Sequence, residues 1–343
     1  MMVRTRRLVN DPTEIVPEML EGYVAANRHL IRLDAHGNVV RAHPKAHGKV
    51  GLVIGNGSGH EPAMIGWIGP GLLDVNVAGP IFTAPGPAAL TRGIEAADRG
   101  AGVLLCVSQH AGDVMNARLA FEEALVRQLR VEMVLLYDDV SSAPKGQEHK
   151  RRGGAGLFFV WKIVGALAEG GGSLSECKEM AERVRDGVRT LTAAFGTVVN
   201  PASGEPLASV DDDHLVVGVG VHGESGRDTG GDLSAHELVQ HMMSRLLDDG
   251  SFTAGDQVCV LLNNSGAMTV MELSVLYRSV HTILAESEIG VHRVWIGSYA
   301  TTQDLAGFAL SVCRVDDEMR RLYDAPATGA AFVMPALHDV VAR

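Results

Sequence analysis

The chain has 343 residues, more than one domain usually contains, so two domains are expected. Its residues are 46% hydrophobic and 21% charged, which supplies a folded core and excludes a disordered chain or a disulfide scaffold. The formal net charge is −11 at pH 7, from 30 basic and 41 acidic residues. Because a negative protein repels phosphate backbones and anionic lipid, neither nucleic acid nor a membrane surface is expected as a partner.

No stretch has the roughly 18 consecutive apolar residues of a membrane span, and no apolar run of signal-peptide length follows the basic amino terminus. These features predict a cytoplasmic enzyme or binding protein. The four cysteines are 54 or more residues apart and form no Cys-x-x-Cys pair, so no metal site is predicted.

An amphipathic segment at Glu14–Leu30 precedes short apolar runs that alternate with segments of helical periodicity. The predicted strands are Lys49–Ile54, Gly102–Val107, Val131–Tyr137, Leu215–Val221, Gln257–Leu262, Val291–Ile296 and Phe308–Val315. The predicted helices are Ala88–Arg99, Val114–Leu129, Gly156–Glu169, Ser173–Phe195, Ala235–Leu247 and Thr269–Glu286. Nearly continuous apolar strands separated by helices predict the α/β class, with mostly parallel sheets covered by helices.

Periodicity is interrupted at Gly196–Asp213, where Pro, Gly and Ser precede an acidic run. We therefore predict a boundary near Ala193, with one α/β domain over residues 1–193 and a second over 194–343. The polar segment Asp138–Gly154 is predicted to be a long surface loop, a type of segment that often carries function.

Four predicted strands are followed by loops that combine glycine with polar or titratable side chains. These loops are Gly55–Pro62, Ser108–Asp113, His222–Gly226 and Asn263–Gly266. Ligands of open parallel sheets bind beyond the carboxyl ends of the strands, so the loops are the candidate binding elements.

The sequence does not match two better-known motifs, the glycine fingerprint of dinucleotide-binding proteins and the histidine pair of a zinc-protease helix. The first loop has the pattern Gly-x-Gly-x-Gly rather than Gly-x-Gly-x-x-Gly, which disfavours an NAD-type oxidoreductase. His236 and His241 are five residues apart and lie about 140° apart around a helix, so they cannot chelate one metal ion.

His222, His60 and Asp113 are the titratable residues expected to meet at the carboxyl edge. Glycines on both sides of His222 leave room for a ligand, although a strand-end histidine satisfied by the backbone is the alternative. Asp113 is compatible with a helix N-cap, a general base, or both.

With these residues and several further segments, the chain resembles the substrate-binding (K) subunit of dihydroxyacetone kinases over nearly its whole length. The matching segments are Gly57–Pro62, Val77–Thr83, Gly112–Asp113, Asp138–Val140, Arg151–Gly153, Gly218–Glu224, Asn263–Asn264 and Val315–Glu318, in the family's order and spacing.

The resemblance implies a two-domain α/β protein, commonly a homodimer, that holds a short ketose between elements of both halves. It implies that His222 adds to the ketone carbon to give a hemiaminal, a bond that glycerol cannot form. Asp113 would deprotonate the attacking hydroxyl and His60 would hydrogen-bond the substrate oxygens. The resemblance also places Gly57, Ser58, Gly59 and Ser108 around the substrate.

Two departures from the family pattern concern the substrate. Ser108 stands where the family commonly has lysine, and Ala84 stands where it has serine. These smaller side chains enlarge the pocket and remove a cation, which favours a longer ketose such as erythrulose.

No phosphate-binding constellation accompanies these loops, and the two halves leave no residues for the family's helical nucleotide-binding domain. The resemblance thus implies no cofactor in this chain and a separate L-type partner that carries Mg-ATP or Mg-ADP. The alternative is a ketose sensor without catalytic activity that acts as a transcriptional coactivator.

Overall fold

Two six-stranded sheets, each with its own helices, and one two-stranded sheet make up the part of the fold that the structure describes. The computed structural model describes residues 7–196, 198–205, 215–220, 228–229 and 233–336. The strands are β1 (Ile31–Leu33), β2 (Val39–Arg41), β3 (Gly51–Ser58), β4 (Val75–Ile81), β5 (Val103–Ser108), β6 (Val131–Leu136), β7 (Val188–Phe195), β8 (Val216–Val217), β9 (Asp228–Thr229), β10 (Gln257–Asn264), β11 (Gly290–Gly297), β12 (Ala306–Arg314), β13 (Ala327–Thr328) and β14 (Val333–Met334). The helices are α1 (Ile15–Ala26), α2 (Pro87–Ala97), α3 (Ala111–Val126), α4 (Leu157–Glu169), α5 (Leu174–Gly187), α6 (Ala235–Asp249), α7 (Val270–Glu286) and α8 (Asp317–Asp324).

The first sheet has the strand order β1-β2-β4-β3-β5-β6, and its four consecutive strands β4, β3, β5 and β6 are parallel. Val53, Val75 and Leu105 belong to a buried cluster that the sheet forms with α2 and α3, in which the alanines of α3 allow close approach. Gly165 of α4 lies against the backbone of Gly71, where an added Cβ would be 2.5 Å from the Gly71 carbonyl oxygen. We call this part, residues 16–136, 157–186 and 317–336, the parallel-sheet unit.

The second sheet has the order β11-β10-β12-β7-β8-β9. Only its β10–β11 pairing is parallel, and its other pairings are antiparallel. Buried side chains of α6 and α7, among them Met242 and Val280, form its core with the strands. We call the described parts of residues 7–15, 137–156 and 187–316 the mixed-sheet unit.

The α/β class predicted from the sequence is confirmed, whereas the mostly parallel arrangement holds only in the first sheet. Each predicted strand overlaps a strand of the structure. The predicted helix Ser173–Phe195 differs, because α5 ends at Gly187 and the next eight residues form β7. β7 pairs along its whole length with β12, and these long-range hydrogen bonds outweigh the helical periodicity.

The two units of the structure differ in their bounds from the two domains predicted from the sequence, residues 1–193 and 194–343. The predicted boundary falls within β7, a central strand of the second sheet. Residues 317–336 belong to the parallel-sheet unit, where α8 packs on α4. Each unit is therefore built from separated stretches of the chain.

The segment Asp138–Gly154, predicted to be a surface loop, has several buried and paired charges. The Arg151 guanidinium is 1% exposed and donates to both carboxylate oxygens of Asp249, at 2.8 and 2.6 Å. The Asp138 carboxylate accepts hydrogen bonds from the amides of Gly154 and Gly156 and from the Thr190 hydroxyl. These contacts hold the segment within the mixed-sheet unit. The charges of Arg151 and Asp138 therefore have a structural role.

Burial raises the pKa of Asp138 from 3.8 to about 6, and its hydrogen bonds only partly oppose this effect. The folded chain then binds a proton more tightly than the unfolded chain, so this group makes the free energy of unfolding fall as the pH rises from about 4 to about 6. We expect an effect of about 2–3 kcal/mol over that window. Urea unfolding across this range should show that Asp138→Asn loses this dependence relative to the wild type.

Asp248→Asn removes an exposed carboxyl of the same unit and serves as the control. Parallel pH profiles for the wild type and Asp138→Asn would contradict the assignment of the titrating group to Asp138.

The described residues contain no helix with both the length and the apolar character needed to cross a bilayer.

Candidate functional site

The carboxyl ends of the parallel strands β3, β4 and β5 lie at one edge of the first sheet. Residues Val53–Ile54 pair with both neighbours, so the three strands are in a common register. The strands end at Ser58, Ile81 and Ser108. Most of the site residues expected from the sequence lie here: Gly57 and Ser58 end β3, Gly59 and His60 follow it, and Ser108 ends β5.

The first two loops are held together by contacts that only glycine permits. An added Cβ at Gly57 would lie 2.5 Å from the Thr83 amide nitrogen. At Gly59 the backbone has φ +106°, which favours glycine, and an added Cβ would lie 2.9 Å from the Phe82 ring. The Phe82 amide also donates to the Ser58 carbonyl at 2.8 Å, and the Ser58 hydroxyl donates to the Gly79 carbonyl at 2.8 Å. The backbone around Gly57–Gly59 is therefore rigid.

His60 follows this backbone and is buried, with 7% of its surface exposed. Its ring makes an edge contact with Phe82, with 5.0 Å between the ring centroids. The neighbouring Glu61 carboxylate accepts from the Gly59 amide at 3.0 and 3.1 Å, and burial raises the pKa of Glu61. Burial, together with the nearby Glu61, raises the pKa of Tyr23 to about 12. The His60 imidazole is thus held by an apolar ring and a fixed loop.

Asp113 is the third residue of α3 and is partly buried. The residue at the N-cap position is His110, so the N-cap role considered for Asp113 is wrong. A carboxylate in the first turn is still favoured by the amide groups at the helix start. The general-base role remains a prediction.

Ser108 is 6% exposed, and its hydroxyl is 3.2 Å from Nδ1 of His110. His110 lies within the loop predicted at Ser108–Asp113, and the sequence alone assigns it no function. In the sequence, His110 stands between two predicted site residues, Ser108 and Asp113. That position could have identified it, because the turn from β5 into α3 brings His110 beside Ser108. A second imidazole therefore accompanies His60 in the loops at this edge.

The segment that follows β5 contacts the segment that follows β4. An added Cβ at Gly112 would lie 3.6 Å from the Ala84 methyl group, and the Asn116 side chain donates to the Pro85 carbonyl at 3.0 Å. The structure thus brings the end of β3 with the residues after it, the end of β5 and the start of α3 to one edge. These segments carry Gly57, Ser58, Gly59, His60, Ser108 and Asp113. His222 and its neighbour Glu224 lie outside the described residues.

The fourth predicted loop, Asn263–Gly266, is held by hydrogen bonds within the loop, to Met268 and to the residues after β11. Asn263 accepts from the amides of Tyr299 and Ala300 and donates to the Ala300 carbonyl. Asn264 accepts from the amides of Gly266 and Met268 and donates to Met268 and Ser298. Both side chains are buried and anchor the loop after β10, which indicates a structural role.

Among the residues that the structure describes, no group of three or more His, Cys, Asp or Glu side chains is placed to hold a metal ion. The arrangement at the carboxyl edge instead offers imidazoles, a carboxylate, hydroxyls and backbone amides. These groups can hydrogen-bond a polyhydroxylated molecule and transfer its protons.

The chain belongs to the Dak1 domain family, whose model matches residues 21–331. It is 37% identical over 313 residues to the dihydroxyacetone-binding subunit DhaK of PTS-dependent dihydroxyacetone kinase 1 from Listeria innocua, covering 91% of this chain and 95% of that one. Membership in this family confirms the resemblance found from the sequence motifs.

Two further relatives have different roles. The chain is 36% identical to a D-erythrulose kinase of Mycolicibacterium smegmatis over 95% of its own length, but spans only 56% of that enzyme. The solved structure of the dihydroxyacetone kinase operon co-activator Dha-DhaQ superimposes with a TM-score of 0.87 at 26% identity, covering 94% of this chain and 99% of that one.

The glycine contacts lead to a prediction about Gly57. We expect Gly57→Ala to displace the segment at Phe82–Thr83, because the added methyl group overlaps backbone rather than a flexible side chain. The free energy of unfolding should fall by about 1–3 kcal/mol, as measured by urea denaturation.

Gly22→Ala is the matched control, since Gly22 lies within α1 and an added Cβ there meets no atom within 4 Å. This change should stabilise the chain by roughly 0.5–1 kcal/mol through helix propensity. Equal stability of Gly57→Ala and the wild type would show that the two loops are not held by this contact.

Proposed function

We propose that this chain is the ketose-binding subunit of a two-component kinase that phosphorylates dihydroxyacetone or a related short ketose. The observation that carries the proposal is the convergence of the Gly57–His60 loop with the turn bearing Ser108 and Asp113 at one sheet edge. Kinship with dihydroxyacetone-binding subunits supports the same substrate class.

In this proposal His222 forms the covalent bond to the substrate. A neutral imidazole nitrogen attacks the ketone carbon, the carbonyl becomes a hydroxyl, and the other ring nitrogen gives up its proton. The product is a hemiaminal. A polyol offers similar hydroxyls but has no carbonyl carbon, so this step distinguishes ketoses from glycerol more sharply than hydrogen bonds alone.

Asp113 is proposed to act as the general base on the terminal hydroxyl that becomes phosphorylated. It accepts the hydroxyl proton while the oxygen attacks phosphorus, and the leaving group of the phosphoryl donor departs with the electron pair. His60 hydrogen-bonds the substrate oxygens, and the amides around Gly57–Gly59 hold the remaining hydroxyl. The rigid glycine loop supports this role because it fixes those amides before the substrate binds.

The phosphoryl group is proposed to come from a separate L-type subunit carrying Mg-ATP or Mg-ADP. The chain itself is proposed to bind no cofactor and to form a homodimer. Its match to nearly the full length of a dihydroxyacetone-binding subunit supports this division of labour.

The substrate is proposed to extend to a four-carbon ketose such as erythrulose. Ser108 is small and its hydroxyl lies beside His110, while Ala84 presents only a methyl group toward Gly112. Both leave more room than the longer side chains of the family pattern. The erythrulose kinase among the relatives supports the same extension.

A ketose sensor that coactivates transcription is the second candidate function, favoured by the likeness to the operon co-activator. Asp113 distinguishes the two, because a protein that only binds ketose has no need of a base beside the reacting hydroxyl. The carboxylate on α3 therefore favours the kinase.

The covalent step is tested with dihydroxyacetone and erythrulose labelled with ¹³C at the carbonyl carbon. We expect the wild type to convert the ketone signal to that of a tetrahedral carbon, whereas His222→Ala should not. The exposed His36 provides the control variant His36→Ala, which should behave as wild type. Retention of the adduct by His222→Ala would refute this assignment, and adduct formation with dihydroxyacetone alone would refute the extension to erythrulose.

The catalytic role is tested with Asp113→Asn. Because the amide cannot take the hydroxyl proton, we expect phosphoryl transfer with the L-type partner to fall by about 10²-fold or more while the ketose adduct persists. Glu122→Gln, at an exposed position on the same helix, should retain full turnover. Full turnover by Asp113→Asn would leave the carboxylate a purely structural role.

A further inference from the structure

The turn that leads from β5 into α3 carries a hydroxyl and an imidazole side by side. Ser108 is the last residue of β5, and His110 is the residue before α3. The Ser108 hydroxyl oxygen lies 3.2 Å from Nδ1 of the His110 ring. Ser108 is buried and His110 is partly buried, so the pair is largely shielded from solvent at the carboxyl edge of the sheet.

Backbone hydrogen bonds fix this turn to the sheet and to the helix. The Gln109 amide donates to the Leu136 carbonyl at the end of β6, at 2.9 Å. The His110 amide donates to the Ser108 carbonyl at 2.8 Å, and the His110 carbonyl accepts from the Val114 amide of α3 at 2.9 Å. The strand and the helix thus fix the backbone of His110, and the contact with Ser108 orients its ring.

Helix capping does not account for this histidine. His110 occupies the N-cap position of α3, where Ser, Thr, Asp and Asn are preferred because their side chains accept from amides of the first turn. Among the described residues, no amide of that turn donates to the His110 side chain. The ring lies instead beside Ser108, which the resemblance to the kinase subunits places around the substrate.

The pair also lies close to the proposed general base. Asp113 comes three residues after His110, and side chains at the N-cap and third helical positions lie on the same side of a helix start. Residues three apart on a helix have their Cβ atoms about 5–6 Å from one another. A ketose whose terminal hydroxyl is at Asp113 therefore has its neighbouring carbons within reach of the pair.

The chemistry of the pair suits an alcohol. An imidazole in its neutral form has one donor and one acceptor nitrogen, and a serine hydroxyl both donates and accepts. Neither group then carries the charge that favours a carboxylate or a phosphate as its partner. A secondary hydroxyl, which donates one hydrogen bond and accepts others, can satisfy both groups at once.

We propose that Ser108 and His110 bind the hydroxyl at the stereogenic carbon of erythrulose and thereby select one of its two enantiomers. This inference rests on the proposed function and specifies its substrate further. Erythrulose has one carbon more than dihydroxyacetone, which makes its C3 stereogenic. The adduct holds the carbonyl side of C3 and the pair holds its hydroxyl, so only the hydrogen and the CH₂OH group remain to be placed. Exchanging those two groups gives the other enantiomer, which cannot fit equally well.

The test measures adduct formation by the full chain with D-erythrulose, L-erythrulose and dihydroxyacetone, each labelled with ¹³C at the carbonyl carbon. Titration gives an apparent affinity for each ketose. We expect the wild type to bind one erythrulose enantiomer about tenfold more tightly than the other, because a site that hydrogen-bonds a substrate hydroxyl discriminates against an isomer that cannot make the bond.

The variant His110→Ala should bring the ratio of the two enantiomer affinities close to one. It should also weaken binding of the favoured enantiomer more than binding of dihydroxyacetone, which has no stereogenic carbon. Since the ring does not cap the described first turn, α3 should stay folded, which circular dichroism checks. His36→Ala, at an exposed position outside the turn, should keep the wild-type ratio.

A double-mutant cycle tests whether the two side chains act as a pair. Ser108→Ala removes the hydroxyl beside Nδ1 and should weaken binding of the favoured enantiomer. Because each side chain depends on the other, Ser108→Ala/His110→Ala should weaken that binding little more than His110→Ala alone. Losses that multiply in the double variant would show that the two residues do not act together, and would overturn the pairing.

Four further results would overturn the inference while leaving the proposed function intact. They are equal affinity of the wild type for the two enantiomers, an adduct with dihydroxyacetone alone, an unchanged enantiomer ratio in His110→Ala, and equal losses for all three ketoses in that variant. The last result would give His110 a purely structural role. Absence of any adduct in the wild type would instead overturn the proposed function, on which the inference rests.

Discussion

The close approach of two backbone segments is the constraint on which the candidate site depends. At Gly57 and Gly79 an added Cβ would lie 2.5 Å from the nitrogen and 2.1 Å from the oxygen of Thr83. Only hydrogen atoms fit in these gaps, so the chain after β4 is held directly against β3 and β4.

The same segment positions the groups of the neighbouring loops. Phe82 contacts His60, while Ala84 and Pro85 meet the helix that carries Asp113. The packing of one short stretch of backbone therefore contributes to the positions of both His60 and the start of α3.

Burial and hydrogen bonding identify several polar residues that have a structural role. Asp138, Asn263 and Asn264 look equally suggestive in the sequence, but buried amides and hydroxyls surround them. Such partners hold a side chain in place and leave little capacity for a ligand. Asp113 is more exposed than these three residues and lies at a sheet edge whose neighbouring loops carry glycine, serine and histidine. Residue type alone therefore does not distinguish a structural carboxylate or amide from a candidate site residue.

The two ends of the parallel sheet have opposite chemical character. At the carboxyl edge, helix starts and loop amides accompany imidazoles and a carboxylate, a setting for hydrogen-bonding a neutral sugar and moving its protons. At the amino edge, Arg41 and Lys49 share Asp74 in a largely buried cluster. Because parallel strands all point one way, the side chains at one end are kept about a strand length from those at the other.

The sequence alone determined the α/β class, most helices, half of the described strands, and the loops at which polar groups follow strands, because these depend on local periodicity and turn chemistry. It could not determine that Val188–Phe195 is a strand or that residues 317–336 return to the parallel-sheet unit, since both depend on partners distant in the chain. Nor could it show that His110 lies beside Ser108, or that Arg151 is buried against Asp249. Those contacts exist only after the strands have paired and the loops have packed, which is why the tertiary structure decided them.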